Sequence, residues 1–201
     1  DTAKVLEDAT LTSIDVIAND TDIDEDVLTI TAVSSSDSGT VAINADGLSV
    51  DYTPALNFNG TETITYTVSD GVLTDETGTL TITVTPVNDA PVSVNDIIEL
   101  NEGGLITILQ NNELTLLHND SDIDEDDLST FIVDSPLYGE LELNLDGTFS
   151  YQHDGSETTS DSFTYKSNDG DLDSNISTVT IIINPINNNS PSNISISNNF
   201  I

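Results

Sequence analysis

Cysteine, methionine and tryptophan are absent from this chain of 201 residues, and its only strong bases are Lys4 and Lys166. Without cysteine there is neither a disulfide framework nor a thiolate metal site. Acids number 37 against those two bases, which leaves a net charge of −35. Such a surface repels nucleic acid and anionic membranes, because both are bound through basic patches. Few acids can find a salt-bridge partner within the chain, so cations or solvent must balance the charge. No apolar run approaches the ~18 residues of a membrane span, so no membrane insertion is expected. The start lacks a basic and apolar leader. The expectation is a piece of a longer protein whose export signal or anchor lies elsewhere, and an extracellular, secreted or cell-surface location.

What is present is a decapeptide that occurs twice, 100 residues apart. Asn19-Asp20-Thr21-Asp22-Ile23-Asp24-Glu25-Asp26-Val27-Leu28 returns as Asn119-Asp120-Ser121-Asp122-Ile123-Asp124-Glu125-Asp126-Asp127-Leu128. Each copy packs five acids into seven residues. Carboxylates that dense repel one another unless they are solvated or neutralised. Hard oxygens at alternate positions suit Ca²⁺, which takes about six to eight oxygen ligands. The plainer alternative is a solvated acidic loop that keeps the protein soluble. An EF-hand is excluded, because Glu25 stands where that loop needs glycine and Thr31 where it needs a bidentate Glu. The glycine-rich nonapeptide of calcium β-rolls is also absent.

The two copies can be followed through the whole chain. Asp1 and Glu7 match Asp96 and Glu102, an insertion near Asn111–Leu117 raises the offset, and a later deletion lowers it by one. Tyr52 then matches Tyr151, Tyr66 matches Tyr165, and Asp70-Gly71 matches Asp169-Gly170. Within each copy the apolar period is two: Ile64, Tyr66 and Val68 alternate with threonines, as do Leu80, Ile82 and Val84. That is the pattern of strands with one buried face. Asp-Gly and Asn-Gly pairs between the runs mark turns. About seven strands in ~95 residues predict an all-β chain of two tandem seven-stranded Greek-key sandwiches of cadherin or immunoglobulin type. The expected bounds are 1–89 for repeat 1, 90–188 for repeat 2, and 189–201 for the linker and first strand of a third.

The acidic decapeptide, the Tyr-Thr-Val-Ser-Asp-Gly of Tyr66–Gly71 and the Val-Asn-Asp-Ala-Pro of Val87–Pro91 resemble the bacterial cadherin-like tandem repeats of surface adhesins and RTX-type secreted proteins. Phe163–Gly170 is similar to the related VCBS-type repeat. The resemblance implies calcium ions between consecutive repeats. Carried onto this chain, one junction would use Glu7, Asn88, Asp89, Asp122, Asp124 and Asp169. Asp22, Asp24 and Asp70 would serve an upstream repeat, and Glu102, Asn187 and Asn188 a downstream one. The chain departs from the pattern: Ala90 stands where an Asn is often found, and Asn57 and Asn59 where an acidic pair is expected. Its linker is one residue short, and Asn188 stands where an acid is usual.

Each candidate has a plainer role. Asp70 and Asp169 precede glycines, where an aspartate serves a turn. His118 and His153 lack a second histidine or cysteine nearby and are taken as ordinary polar residues. No nucleophile motif surrounds any serine, so no catalytic residue is assigned and no enzyme is expected. The function expected is a Ca²⁺-rigidified extender of a large adhesin whose partners are calcium ions and neighbouring repeats. Two alternatives stay open: a module binding polysaccharide or an identical repeat, with Tyr138 and Tyr151 as aromatics to inspect, and spacer repeats of a large extracellular enzyme.

Overall fold

Period-two alternation and β-branched residues build two separate β units in the computed structural model, which describes residues 1–72 and 76–186. The first unit is Asp1–Val87 and the second begins at Asn88. The expected third-repeat strand lies outside the described residues, as do Asn187 and Asn188.

The first unit runs β1 Thr2–Leu6, β2 Thr12–Asp15, β3 Thr29–Val33, β4 Gly39–Ile43, β5 Ser49–Pro54, β6 Gly60–Ser69 and β7 Glu76–Thr85. One sheet has the order β1-β7-β6-β3 and the other β2-β5-β4. The first strand pairs parallel with the last, and the remaining pairs are antiparallel. Along β6, Ile64, Tyr66 and Val68 are buried while Thr63 and Thr65 are exposed. The buried set meets Val50 and Tyr52 of β5 in one core. Burying each such side chain stabilises by roughly 1.5–3 kcal/mol.

The second unit repeats this plan with β8 Asp96–Asn101, β9 Leu105–Ile106, a 3-10 turn Leu116–Asn119, β10 Ser129–Asp134, β11 Gly139–Leu143, β12 Phe149–His153, β13 Ser160–Asn168 and β14 Ser177–Asn184. Its sheets are β10-β13-β14-β8 and β11-β12-β9. Seven strands per unit and no α-helix among the described residues give the sandwiches that the repeat pattern predicts. The insertion of the second copy folds into the approach to the 3-10 turn. There the Thr115 hydroxyl accepts from Leu117 N at 3.2 Å, which caps the turn.

Two sequence expectations change here. Tyr151 is fully buried in the second core, so it offers no face for stacking a sugar. His153 is only 2% exposed and far from an ordinary surface residue. Its Nδ1 accepts from Gly103 N at 3.0 Å and Gly155 N at 3.2 Å, and its Nε2 lies 3.0 Å from the Thr158 hydroxyl. The ring thus ties two glycine turns together.

Candidate functional site

The two acidic loops fold alike because they share sequence. In the second unit Asp122 Oδ1 accepts from Asp124 N at 2.8 Å and from Asp126 N at 3.5 Å. In the first unit Asp22 Oδ1 accepts from Asp24 N at 2.8 Å and Asp26 N at 3.1 Å. Glu25 and Glu125 both sit in the left-handed region, at φ 61° and 63°. That conformation is uncommon for a residue with a side chain, and it closes the loop around the first aspartate.

The stretch entering the second unit is bonded to this loop. Asp89 N donates to Asp124 Oδ2 at 2.8 Å, and Asn88 Nδ2 donates to Asp169 Oδ2 at 2.9 Å. The other Asp169 oxygen accepts from Asp171 N and Leu172 N, each at 2.7 Å. Leu172 N–H, the Asn88 amide and Asp171 N–H together hold the Asp169 carboxyl below its ordinary range. Asp126 is pushed the other way, first by loss of water and then by the charges of Asp122, Asp124, Asp169 and Asp127. Five carboxylates therefore share one field with no base among the groups that perturb Asp126.

Asn88, Asp89, Asp122, Asp124 and Asp169 are thus brought together within the second unit. Asp122 Oδ2 is buried and accepts no hydrogen bond. A buried charged oxygen without a donor is costly. A cation coordinated by that oxygen would remove the cost, so the donor set fits a hard divalent ion. Among the described residues no group of three or more carboxylate or imidazole side chains is arranged to hold a metal ion. Backbone N–H groups bond some of these carboxylate oxygens instead.

In the first unit Asp22 and Asp70 line one cavity with Asp20 and Glu76, while Asp24 is exposed. Glu7 is buried, and accepts from Val87 N at 2.5 Å and Asn59 Nδ2 at 3.5 Å. Glu102 is also buried, and accepts from Ile186 N at 3.2 Å. Both glutamates therefore hold the chain as it leaves the last strand of their own unit.

One cluster escaped sequence reasoning. Tyr165 Oη lies 3.1 Å from Asp96 Oδ2, 3.2 Å from Asp120 Oδ1, 3.1 Å from Val94 O and 3.3 Å from Leu116 O. One phenolic proton cannot serve four acceptors. Burial raises the Asp96 pKa to about 6, against the lowering effects of the Tyr165 hydroxyl and His118. The His118 ring stands 3.7 Å from Asp96 Oδ1, between the Asn111 amide and Thr115 O, so it too is more than a surface polar residue. The first unit has the same core: Tyr66 Oη bonds Asp1 Oδ2 at 2.5 Å and Val16 O at 3.1 Å. The signal was present in the repeat, which pairs Asp1 with Asp96, Asp20 with Asp120 and Tyr66 with Tyr165.

Residues 88–185 match the family model of the bacterial cadherin-like domain, and residues 1–83 match that of the bacterial Ig domain. The Homo sapiens extracellular matrix organizing protein FRAS1 is 33% identical over 127 residues. That stretch is 54% of this chain and 3% of the human protein. Among solved structures, human CDH23 EC21-23 superposes with a TM-score of 0.52 at 20% identity, covering 92% of this chain and 67% of that one. The protocadherin GammaB4 extracellular domain gives 0.51 at 18% identity, covering 91% of this chain and 31% of that one. At such identities the likeness is one of fold.

Proposed function

With a bacterial Ig domain in residues 1–83 and a bacterial cadherin-like domain in residues 88–185, we propose that this chain is a Ca²⁺-rigidified extender segment of a bacterial surface or secreted adhesin. The reading rests above all on Asp122 Oδ2, a buried oxygen without a hydrogen-bond donor, set among Asn88, Asp89, Asp124 and Asp169. Those residues would hold the ion in the second unit. Asp22, Asp24 and Asp70 form the equivalent set of the first unit, and Glu7 and Glu102 are the more distant candidates. The ion supplies positive charge that the chain lacks, turning repulsion among the carboxylates into shared coordination. Asn88 and Asp169 keep their relative orientation through the amide hydrogen bond, and the Asp89 backbone keeps Asp124 turned toward the linker. No residue is assigned a catalytic step.

Extracellular modules bind Ca²⁺ with Kd values of about 10⁻⁴–10⁻³ M. At a free concentration ~100-fold above Kd, one site adds roughly 2.7 kcal/mol of stability. Calorimetric titration of the chain with CaCl₂, with MgCl₂ as control, tests the site. Saturable binding of Ca²⁺ that Asp122→Asn weakens is the expected outcome. Heats that are equal for both ions, or unchanged by the substitution, would sink it.

A further inference from the structure

Among the described residues, all but one of the sheet edges are guarded. An edge strand offers unpaired N–H and C=O groups to any other strand, and charge, shortness or a bulge on the strand deters such pairing. Of the edge strands, β1 carries Lys4, β2 Asp15, β8 Glu99, β10 Asp134, and β11 both Glu140 and Glu142. β9 is two residues long. β3 has a register shift between Ile30 and Ala32, and its Ile30 N already donates to Gly47 O at 2.8 Å. The exception is β4, Gly39-Thr40-Val41-Ala42-Ile43, which ends the sheet β2-β5-β4, pairs in regular register and has no charged side chain.

The ladder fixes which backbone groups of β4 are open. Ser38 O accepts from Ala55 N, and Ser49 O from Asn44 N, each at 2.9 Å. Both bonds continue the register that sets Thr40 against Thr53 and Ala42 against Asp51. Antiparallel bonding alternates along a strand, so Thr40 and Ala42 give their backbone groups to β5, while Gly39, Val41 and Ile43 turn theirs to the open edge. The Val41 and Ile43 side chains pack on the first core, and those of Thr40 and Ala42 are exposed. β11 is the same strand of the second unit and is built alike around Leu141, with Asp154 N donating to Tyr138 O at 2.9 Å. There, however, Glu140 and Glu142 stand where the first unit has Thr40 and Ala42.

We propose that β4 is a self-association edge, at which the β4 strands of two copies of this chain pair antiparallel about a two-fold axis at Val41. In that register Val41 faces Val41 and Gly39 faces Ile43, so the open backbone groups of each strand meet those of the other. Thr40 faces Ala42, and Asp37 and Asp46 face Ala45 and Ser36 rather than each other. The strand is thus complementary to itself. The same operation on β11 would set Glu140 against Glu142 on both sides of the axis, and like charges directly opposite are destabilising. A pair of such short strands buries well under the ~1,200 Å² of a stable interface, so single chains associate weakly. The net charge of −35 on each copy opposes the approach, so salt strengthens the contact by screening.

The test is analytical ultracentrifugation of the full chain at millimolar concentration, in low and in high NaCl. EDTA is present throughout, so the outcome is independent of calcium binding. A dimer whose population grows with NaCl is expected. The double variant T40E/A42E gives β4 the charge pattern of β11 and should weaken the dimer by roughly tenfold or more, equivalent to about 1.4 kcal/mol. T40K/A42E sets opposite charges against each other in the two-fold register and should restore it. Both positions are exposed, and melting curves matching the native chain establish that the variants fold. A monomer under every condition would overturn the proposal. So would a dimer that T40E/A42E leaves intact, because another surface would then hold it, or one that T40K/A42E fails to restore.

Discussion

The backbone N–H of Asp89 donates to the Asp124 carboxylate at 2.8 Å, so the residues entering the second unit are anchored on its acidic loop. Asn at position 124 would keep the accepting oxygen and lose the charge. Asp124→Asn should therefore leave the melting temperature in EDTA unchanged or slightly raised. Its affinity for Ca²⁺ should fall by roughly tenfold, equivalent to about 1.4 kcal/mol. Titration calorimetry and a melting curve on the same variant check both halves.

Asp96 gives a pH dependence of unusual sign for a carboxylate. Its folded pKa of about 6 lies above the ordinary 3.8, and the titratable groups facing it are Asp120, Tyr165 and His118. Below about pH 4 both folded and unfolded chains hold the proton, and its stabilisation is fully present. As the pH rises through about 6, the folded state gives up a proton that the unfolded chain has already lost, and stability falls. Asp96→Asn supplies permanent N–H donors in place of that proton. It should equal the native chain near pH 4 and exceed it by about 1–2 kcal/mol at pH 7, the shift being discounted for partial solvation and coupling. Denaturant unfolding of the second unit across that range reads the difference. A parallel pair of curves would contradict it.

Glu62 is buried on β6, where it accepts from Tyr52 Oη at 3.2 Å and Asp37 N at 2.8 Å. Burial first, and then the Glu62 charge, push the Tyr52 phenol up to about 12. Glu62→Ala strands the Asp37 N–H and leaves the Tyr52 hydroxyl only the Ser38 carbonyl at 3.3 Å, which should cost the first unit about 1–3 kcal/mol and lower the pH at which Tyr52 ionises. Ultraviolet titration of the phenol and thermal melting are the two readouts.

Gly39 and Gly139 occupy the same place in the two copies, each beneath a buried tyrosine. A Cβ at Gly139 would sit 2.6 Å from Gln152 O and 2.6 Å from the Tyr151 ring. A Cβ at Gly39 would sit 2.4 Å from Thr53 O and 3.0 Å from the Tyr52 ring. Backbone carbonyls within a strand pair cannot retreat cheaply. Gly139→Ala should therefore destabilise the second unit by about 1–3 kcal/mol through overpacking, measured by chemical denaturation.

The alternation of Ile64, Tyr66 and Val68 with threonines made β6 legible, because one buried face is all such a strand needs. The doubled decapeptide likewise located the acidic loops. It could not say which acids would be buried. Asp96 and Asp120 read like any other acids, but Tyr165 and Leu116, distant in sequence, enclose them. Asp122 was singled out for its spacing, while the burial of its Oδ2 is a property of the folded loop that spacing does not encode. His153 looked ordinary because its partners, Gly103 and Gly155 N–H, carry no side-chain signature. Tyr151 could not be assigned to core or surface until β12 was placed between β9 and β11.

The most direct test of the calcium account is small-angle scattering combined with calorimetric melting of the full chain, in EDTA and then in millimolar CaCl₂, with Mg²⁺ as control. The account predicts that Ca²⁺ alone raises the melting temperature and extends the particle, and that replacing Asp122 and Asp124 by Asn abolishes both effects. Identical scattering and melting in EDTA and CaCl₂ would contradict it, and would leave the repeated acidic loops as solvated surface.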